Sequence, residues 1–221
     1  MTNEKKTINK TDEAYNHLEK LIIFRELQPG SMVSEKQLAE SLELGRTPVR
    51  EALQRLSYER MVEIHPRRGI QIPSISVESQ LKILEVRRDI EALCVKYASV
   101  RASVDEKQQM QDLASRLEQC AEKGDEVEYS VLLKKIHRLL VKAARNEYLQ
   151  LAMAPLQGLS RRFWFAFKNQ TTDLAQASSL HATVLRAVCH TDTDEAVAAS
   201  HRLNDYLTDV AYKSISRDNS L

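Results

Sequence analysis

The residues best able to do chemistry fall into two groups. Between Arg46 and Arg68 six arginines, at 46, 50, 55, 60, 67 and 68, stand against three glutamates, at 51, 59 and 63. This local surplus of three positive charges sits in a chain whose formal net charge is only +1. Guanidinium groups bond phosphate oxygens and, with two parallel N–H donors, the O6 and N7 of guanine. The stretch therefore suits a nucleic-acid surface. The second group is His137 and His181 with Arg87, Arg161 and Arg162, the last two beside Phe163-Trp164-Phe165. In an apolar setting such side chains can bond the head group of an anionic ligand, and imidazoles can also hold a metal. Arg87 can equally pair with Glu85 or Glu91, and the two histidines can be hydrogen-bonded core residues. No Gly-rich phosphate loop, nucleophile elbow or complete metal triad is present. The remaining enzymatic alternative is a hydrolytic site made from His137, His181 and a carboxylate.

Helices must position both groups. With 5 Gly and 5 Pro in 221 residues, breakers are few, which favours long helices. Residues 12–26 place Ala14, Leu18, Leu21 and Ile22 at helical spacing and end before Pro29-Gly30. Ser34-Glu35-Lys36-Gln37 has the form of a capping box, opening a short helix to about Leu42 with Leu38, Ala39 and Leu42 inward. Thr47 is suited to N-cap the next helix and Pro48 to its first position, the helix running to about Glu59. Val49, Ala52, Leu53 and Leu56 then share an inner face, and Thr47, Arg50 and Gln54 an outer one. In a helix-turn-helix the first turn of the second helix enters the major groove, and an Arg there discriminates guanine by about 1–3 kcal/mol. Val62-Glu63-Ile64 and Ile70-Gln71-Ile72 alternate around His65-Pro66-Arg67-Arg68-Gly69, a two-stranded hairpin with Arg67 and Arg68 at its tip.

Stretches 27–72 and especially Arg46-Thr47-Pro48-Val49-Arg50-Glu51-Ala52-Leu53 resemble the GntR family of bacterial regulators. The resemblance implies DNA-contact roles for Lys36, Arg46, Thr47, Arg50, Arg68 and Gly69. Gly45 stands where the family often has Ser, and Arg60 where Gly usually follows Glu.

From Ser76 onward the pattern is helical almost throughout. Helices are predicted over 77–100, from the Ser103–Glu106 capping box to Gly124, and over 126–144, 147–168, 173–190 and 192–214, with Pro155 kinking or breaking the fourth. The whole is a mainly α chain: an N-terminal winged helix-turn-helix and a C-terminal antiparallel bundle of six or seven helices. Its expected divisions are a flexible arm at 1–10, a DNA-binding domain at 11–73, an effector-binding and dimerisation domain at 74–216 and a tail at 217–221.

The second part is similar to the FCD type of ligand domain in the FadR-like branch of GntR regulators. The similarity is carried by Glu85, Arg87 and Glu91, by His137 with Ala144-Arg145-Asn146, and by His181 with Ala187, Asp192 and Ala196. It implies a homodimer and an effector pocket lined by Arg87, His137, His181, Arg161 and Asn146. Many such domains hold a divalent metal with one Asp and three His. Here Leu133 and Leu203 stand at two of the four positions, leaving His137 and His181 as weak metal candidates. A divalent metal is therefore disfavoured though open and no other cofactor is indicated, and the effector is expected to be an organic acid or a more apolar metabolite. His201 falls off the apolar stripe of the last helix, on an outer surface or at an interface.

The expected protein is a transcription regulator, a repressor first, that binds a palindromic double-stranded operator as a dimer. An architectural DNA binder with no effector is the competing reading. No apolar run approaches the roughly 18 residues of a membrane span, and Met1–Lys10 is too polar for a signal peptide. Cys94, Cys120 and Cys189 read as buried hydrophobes of a reducing cytoplasm.

Overall fold

The computed structural model describes residues 9–171 and 173–218, the side chains of 168–171 and 215–218 excepted. The chain divides into two compact units, Met1–Ile75 and Ser76–Leu221.

The first unit is a winged helix-turn-helix built from α1 (Lys10–Ile23), α2 (Glu35–Ser41), α3 (Arg46–Tyr58) and strands β1 (Met32–Val33), β2 (Glu63–His65) and β3 (Gly69–Gln71). Its core is the inner face read from spacing. Val49, Ala52, Leu53 and Leu56 of α3 are buried, together with Ala14, Leu18 and Ile22 of α1. The Ser34 hydroxyl accepts from Gln37 N–H while the Gln37 side chain accepts from Ser34 N–H, so the capping box is closed. The expected start of α3 is corrected. Gly45, not Thr47, is its N-cap, and it provides no side-chain cap. Because the Gly45 carbonyl accepts the Val49 N–H at 3.4 Å, the helix begins two residues early and Arg46 and Thr47 lie in its first turn.

At the other end of α3, Met61 N–H reaches back to Leu56 carbonyl at 2.9 Å, and Arg60 takes φ 58°. This is a Schellman stop, and Arg60 occupies the left-handed position where the family's Gly is the easier residue. The wing is three-stranded, not two-stranded, with order β1-β3-β2 and both pairs antiparallel. Gly69 has φ 113°, and a Cβ there would stand 2.7 Å from the Val33 carbonyl oxygen. Its first duty is thus to let β1 close on β3.

The second unit is a bundle of α4 (Val77–Arg101), α5 (Val104–Lys123), α6 (Glu126–Ala143), α7 (Glu147–Thr171), α8 (Leu174–Cys189) and α9 (Thr193–Asp218). Both the Ser103–Glu106 capping box and the left-handed Gly124 stop form as read. Pro155 lies inside α7 without breaking it. Helix α4 packs against α6, α7, α8 and α9, which makes it the element on which the interior is assembled. Arg186 joins α8 to α5 through two bonds to Glu118, at 2.7 and 2.6 Å. Of the expected arm, residues 1–8 lie outside the described residues and Lys10 opens α1. Of the expected tail, 219–221 lie outside them and α9 runs to Asp218. No helix among the described residues is long and apolar enough to cross a membrane.

Candidate functional site

In the first unit the start of α3 leaves Arg46, Thr47 and Arg50 exposed, and the loop between β2 and β3 exposes Arg67 and Arg68. Arg67 itself takes φ 64°, and Arg68 N–H closes the turn on the His65 carbonyl at 3.1 Å. Lys36 is exposed on α2, 3.7 Å from Glu40 one turn along. The arginine surplus of this stretch is partly spent inside the fold. Arg55 lies 4.0 Å over the Tyr15 ring and pairs with Asp12 at 3.1 Å and Glu59 at 3.8 Å, locking α3 to α1. Tyr15 donates to Glu59 at 2.6 Å, and burial pushes its hydroxyl pKa up. What remains outward is a line of cations at the beginning of α3 and at the wing. Arg50 is not isolated: Glu35 of α2 accepts two of its N–H groups. Glu35 was missed in the sequence, where it reads only as a first-turn acid of α2.

The interior of the second unit carries buried polar or charged side chains from every one of its helices. Arg87 pairs with Glu91 through bonds of 2.7 and 3.2 Å, both side chains buried, so of the two roles open to Arg87 the ion pair is formed. His137 and His181 lie with ring centroids 6.0 Å apart, both buried. Burial, then the Arg87 charge, pulls the His181 pKa down to about 3. Burial, followed by the charges of Arg87, His181 and Arg161, holds His137 well below its ordinary range. Among the described residues neither ring nitrogen of His137 has a hydrogen-bond partner. Also buried and unpartnered among the described residues are Gln80 Oε1 on α4, Trp164 Nε1 on α7, Ser178 Oγ on α8, and Ser200 Oγ and Asn204 Nδ2 on α9. Every bundle helix but α5 contributes one. Buried polar groups are nearly always bonded, so such a set calls for a missing partner.

Tyr129 ties part of this set together. Its ring lies 4.9 Å from that of Trp164, and its hydroxyl pKa is raised by burial while the Arg87 charge opposes the shift. Arg161 and Arg162 are both buried on α7, and burial lowers the Arg162 pKa to about 10, leaving it charged at neutral pH. Asn146 caps α7, its side-chain oxygen accepting the Tyr148 and Leu149 N–H groups. Ser178 lies one turn before His181, and Ser200 and Asn204 flank Leu203. A polar residue inside an apolar helical stripe is the signal that could have found all three.

The interior does not fit the divalent ion that the family resemblance implies. Leu133 and Leu203 are 4% and 1% exposed and carry no donor atom. The buried acid of α4, Glu91, is held by Arg87. Two neutral imidazoles fall short of the three or four protein ligands that hold such ions. Among the described residues no group of three or more His, Cys, Asp or Glu is placed to bind a metal.

The neutral histidines set a pH dependence. Once unfolded, each imidazole takes a proton near pH 6.5. Between that pH and about 3 the unfolded chain holds protons that folded His181 does not. Stability should therefore fall as pH drops below 6.5, by about 1.4 kcal/mol per pH unit for each histidine. Urea unfolding at about pH 7.5 and about pH 5.5 checks this, and His181→Gln should remove about half of the difference.

An exposed cationic helix start and a basic wing in one compact unit, joined in one chain to a helical domain, define a winged-helix DNA-binding regulator. Residues 10–72 match the model of bacterial regulatory proteins of the gntR family, and residues 82–205 match the FCD domain. The chain belongs to the FCD-containing GntR family of bacterial regulators. It is 30% identical over 137 residues to the uncharacterized HTH-type transcriptional regulator YdhC of Bacillus subtilis (strain 168), covering 62% of this chain and 61% of YdhC. To the HTH-type transcriptional regulator McbR of Escherichia coli (strain K12) it is 29% identical over 140 residues, 63% of each chain. Both matches span less than two thirds of the relative. The HTH-type transcriptional repressor GlaR of the same E. coli strain is 28% identical over 192 residues, 83% of this chain and 87% of GlaR. The solved structure of E. coli McbR/YncC has the same fold, with TM-score 0.75 and 20% identity over 95% of this chain and 100% of that one.

Proposed function

We propose that this chain is a dimeric repressor whose hold on a palindromic DNA operator is set by a small molecule bound inside its helical unit. The observation that carries the sensor is His137, buried with both ring nitrogens unpartnered beside His181 and Arg87. Arg46, Thr47 and Arg50 would meet base edges and phosphates, with Lys36, Arg67 and Arg68 on the backbone or minor groove. Gly69 serves by shaping the wing. The name of GlaR supports repression.

The unpartnered groups include three donors (an indole N–H, an amide NH2 and one imidazole N–H), two hydroxyls that can donate or accept, and two acceptors, Gln80 Oε1 and the other imidazole nitrogen. They favour an oxygen-bearing effector, a small organic acid or a less charged relative, over a purely apolar one. Arg87, paired with Glu91, and Arg161 put positive charge close to His137, and this reading calls for no metal. Effector binding shifts the balance between DNA-competent and DNA-incompetent populations, with reciprocal coupling between the two sites. The test is thermal melting of the full chain against a panel of organic acids, neutral metabolites and divalent metals. A ligand that binds only the folded state at a hundred times its Kd adds about 2.7 kcal/mol of stability. If no compound shifts the melting, the sensor reading fails and the helical unit only dimerises.

The dimer reading rests on α4. Val86, Leu93 and Val100 are 50%, 40% and 64% exposed at seven-residue spacing, with Asp89 and Lys96 between them. A second copy is the fitting occupant, because the stripe is self-complementary. A two-fold axis at Leu93 sets Val86 against Val100 and Asp89 against Lys96 to within one residue. His201 of α9 lines the groove beside this stripe with Leu93 and Lys96. Leu93→Glu should place two like charges at the axis and yield monomers in light scattering; a dimer that persists would place the interface elsewhere.

A further inference from the structure

Arg50, like Arg46, is exposed on the first turns of α3, yet it is held by a residue with no DNA role assigned to it. Its Nε donates to Glu35 Oε2 at 3.0 Å and its Nη2 donates to Glu35 Oε1 at 2.7 Å. The carboxylate is the less exposed partner, its side chain 27% exposed against 61% for Arg50. Glu35 is also the better anchored. It is the first residue of α2, directly after the Ser34 cap whose box with Gln37 is closed on both sides. Lys36, its neighbour, turns instead to Glu40, so Glu35 keeps its carboxylate for Arg50 alone among the described ion pairs.

The geometry of the pair matters more than its strength. A guanidinium carries five N–H donors, one on Nε and two on each terminal nitrogen. Glu35 takes the side edge, Nε with Nη2. The end edge, the two N–H groups of Nη1 and Nη2 that point forward, stays open. That end edge is the fork that matches O6 and N7 of guanine. A guanidinium already held in one orientation loses less freedom when it meets a base. The carboxylate has a second effect: it neutralises Arg50 toward the phosphates, whose attraction is independent of sequence.

We propose that Glu35 is a positioning residue for base reading, holding Arg50 side-on so that its end fork faces a guanine edge, and trading sequence-independent affinity for discrimination. The proposal rests on Arg50 as a base-reading residue, and the two can fail separately.

The experiment uses the full chain and a duplex selected by it from a randomised DNA pool, compared with a random-sequence duplex of equal length. Glu35→Gln keeps the length and the helix start but loses the charge. It should lower the selected-to-random affinity ratio about tenfold, one good base contact's share. At the same time it should strengthen binding to the random duplex and steepen the salt dependence by up to about one released ion. Arg50→Ala should also lower the ratio, but with weaker random binding and a shallower salt slope. The double variant should match Arg50→Ala. An unchanged ratio in Glu35→Gln overturns the positioning role, and so does an equal fall on both duplexes with unaltered melting. An unchanged ratio in Arg50→Ala overturns Arg50 as a base reader instead.

Discussion

Glu91→Ala should destabilise the helical unit by about 3–5 kcal/mol, because it leaves a buried guanidinium with its chief counter-charge removed. Arg87 is 2% exposed and Glu91 3%, one helical turn apart on α4. Their order, Arg before Glu, is the less favourable one for an isolated helix, so the pair is not there to stabilise α4. It is there because the interior already contains charge. Arg87 lowers the pKa of both histidines, and Glu91 helps burial push the Cys94 thiol up to about 12. Without Glu91 the positive charge would be balanced by nothing on its own helix. Against a total stability of about 5–15 kcal/mol for a typical domain, the loss is large. Urea unfolding followed by far-UV circular dichroism measures it. The control is the double change Arg87→Met with Glu91→Leu, which removes both charges and should cost much less. A Glu91→Ala cost near zero would mean that water reaches the pair.

The helix ends show how much could be read directly. Ser34–Gln37, Ser103–Glu106 and Gly124 are local devices: the residues that make the cap are the residues that name it, and all three form as expected. Thr47 has the side chain of an N-cap, but the start of α3 is set by the chain leaving α2, where Leu44 N–H bonds the Ala39 carbonyl and delivers Gly45 to the N-cap position. Strand β1 was not legible, since two residues carry no period and Met32–Val33 becomes a strand only by pairing with β3. Inner faces were legible from period alone, as Val49, Ala52, Leu53 and Leu56 show. Partnerships across helices were not. Arg55 and Arg50 look alike in the sequence, yet one is taken by Asp12, Glu59 and the Tyr15 ring and the other by Glu35. The cap made by Asn146 was not read either: Asn is both a ligand-bonding amide and a good cap, and its oxygen caps α7. The unpartnered Ser178, Ser200 and Asn204 were hidden because the stripes around them are apolar enough to read as core.

Leu133→Asp combined with Leu203→His should turn a metal-indifferent protein into one whose melting rises steeply with zinc or another divalent ion. His137 and His181 are already buried, neutral and held low in pKa, the state in which imidazole binds metal. Leu133 precedes His137 by one turn of α6, so an acid there shares its face. Leu203 lies buried on α9, which packs against α8 and its His181. The two changes would supply one carboxylate and one imidazole to the two imidazoles present, the donor number of a closed tetrahedral site. Without metal the variant should melt lower than the parent, because a carboxyl and a ring would be buried without partners. With metal at about a thousand times its Kd, binding should return about 4 kcal/mol. The parent should show no such rise, and each single variant only a fraction of it. A parent that melts higher with divalent metal would mean that other side chains complete the site, and that the leucines had not closed it. A double variant indifferent to metal would mean that these four positions do not converge, and the interior cluster would then have to be rebuilt around Arg87 and the unpartnered amide and hydroxyls.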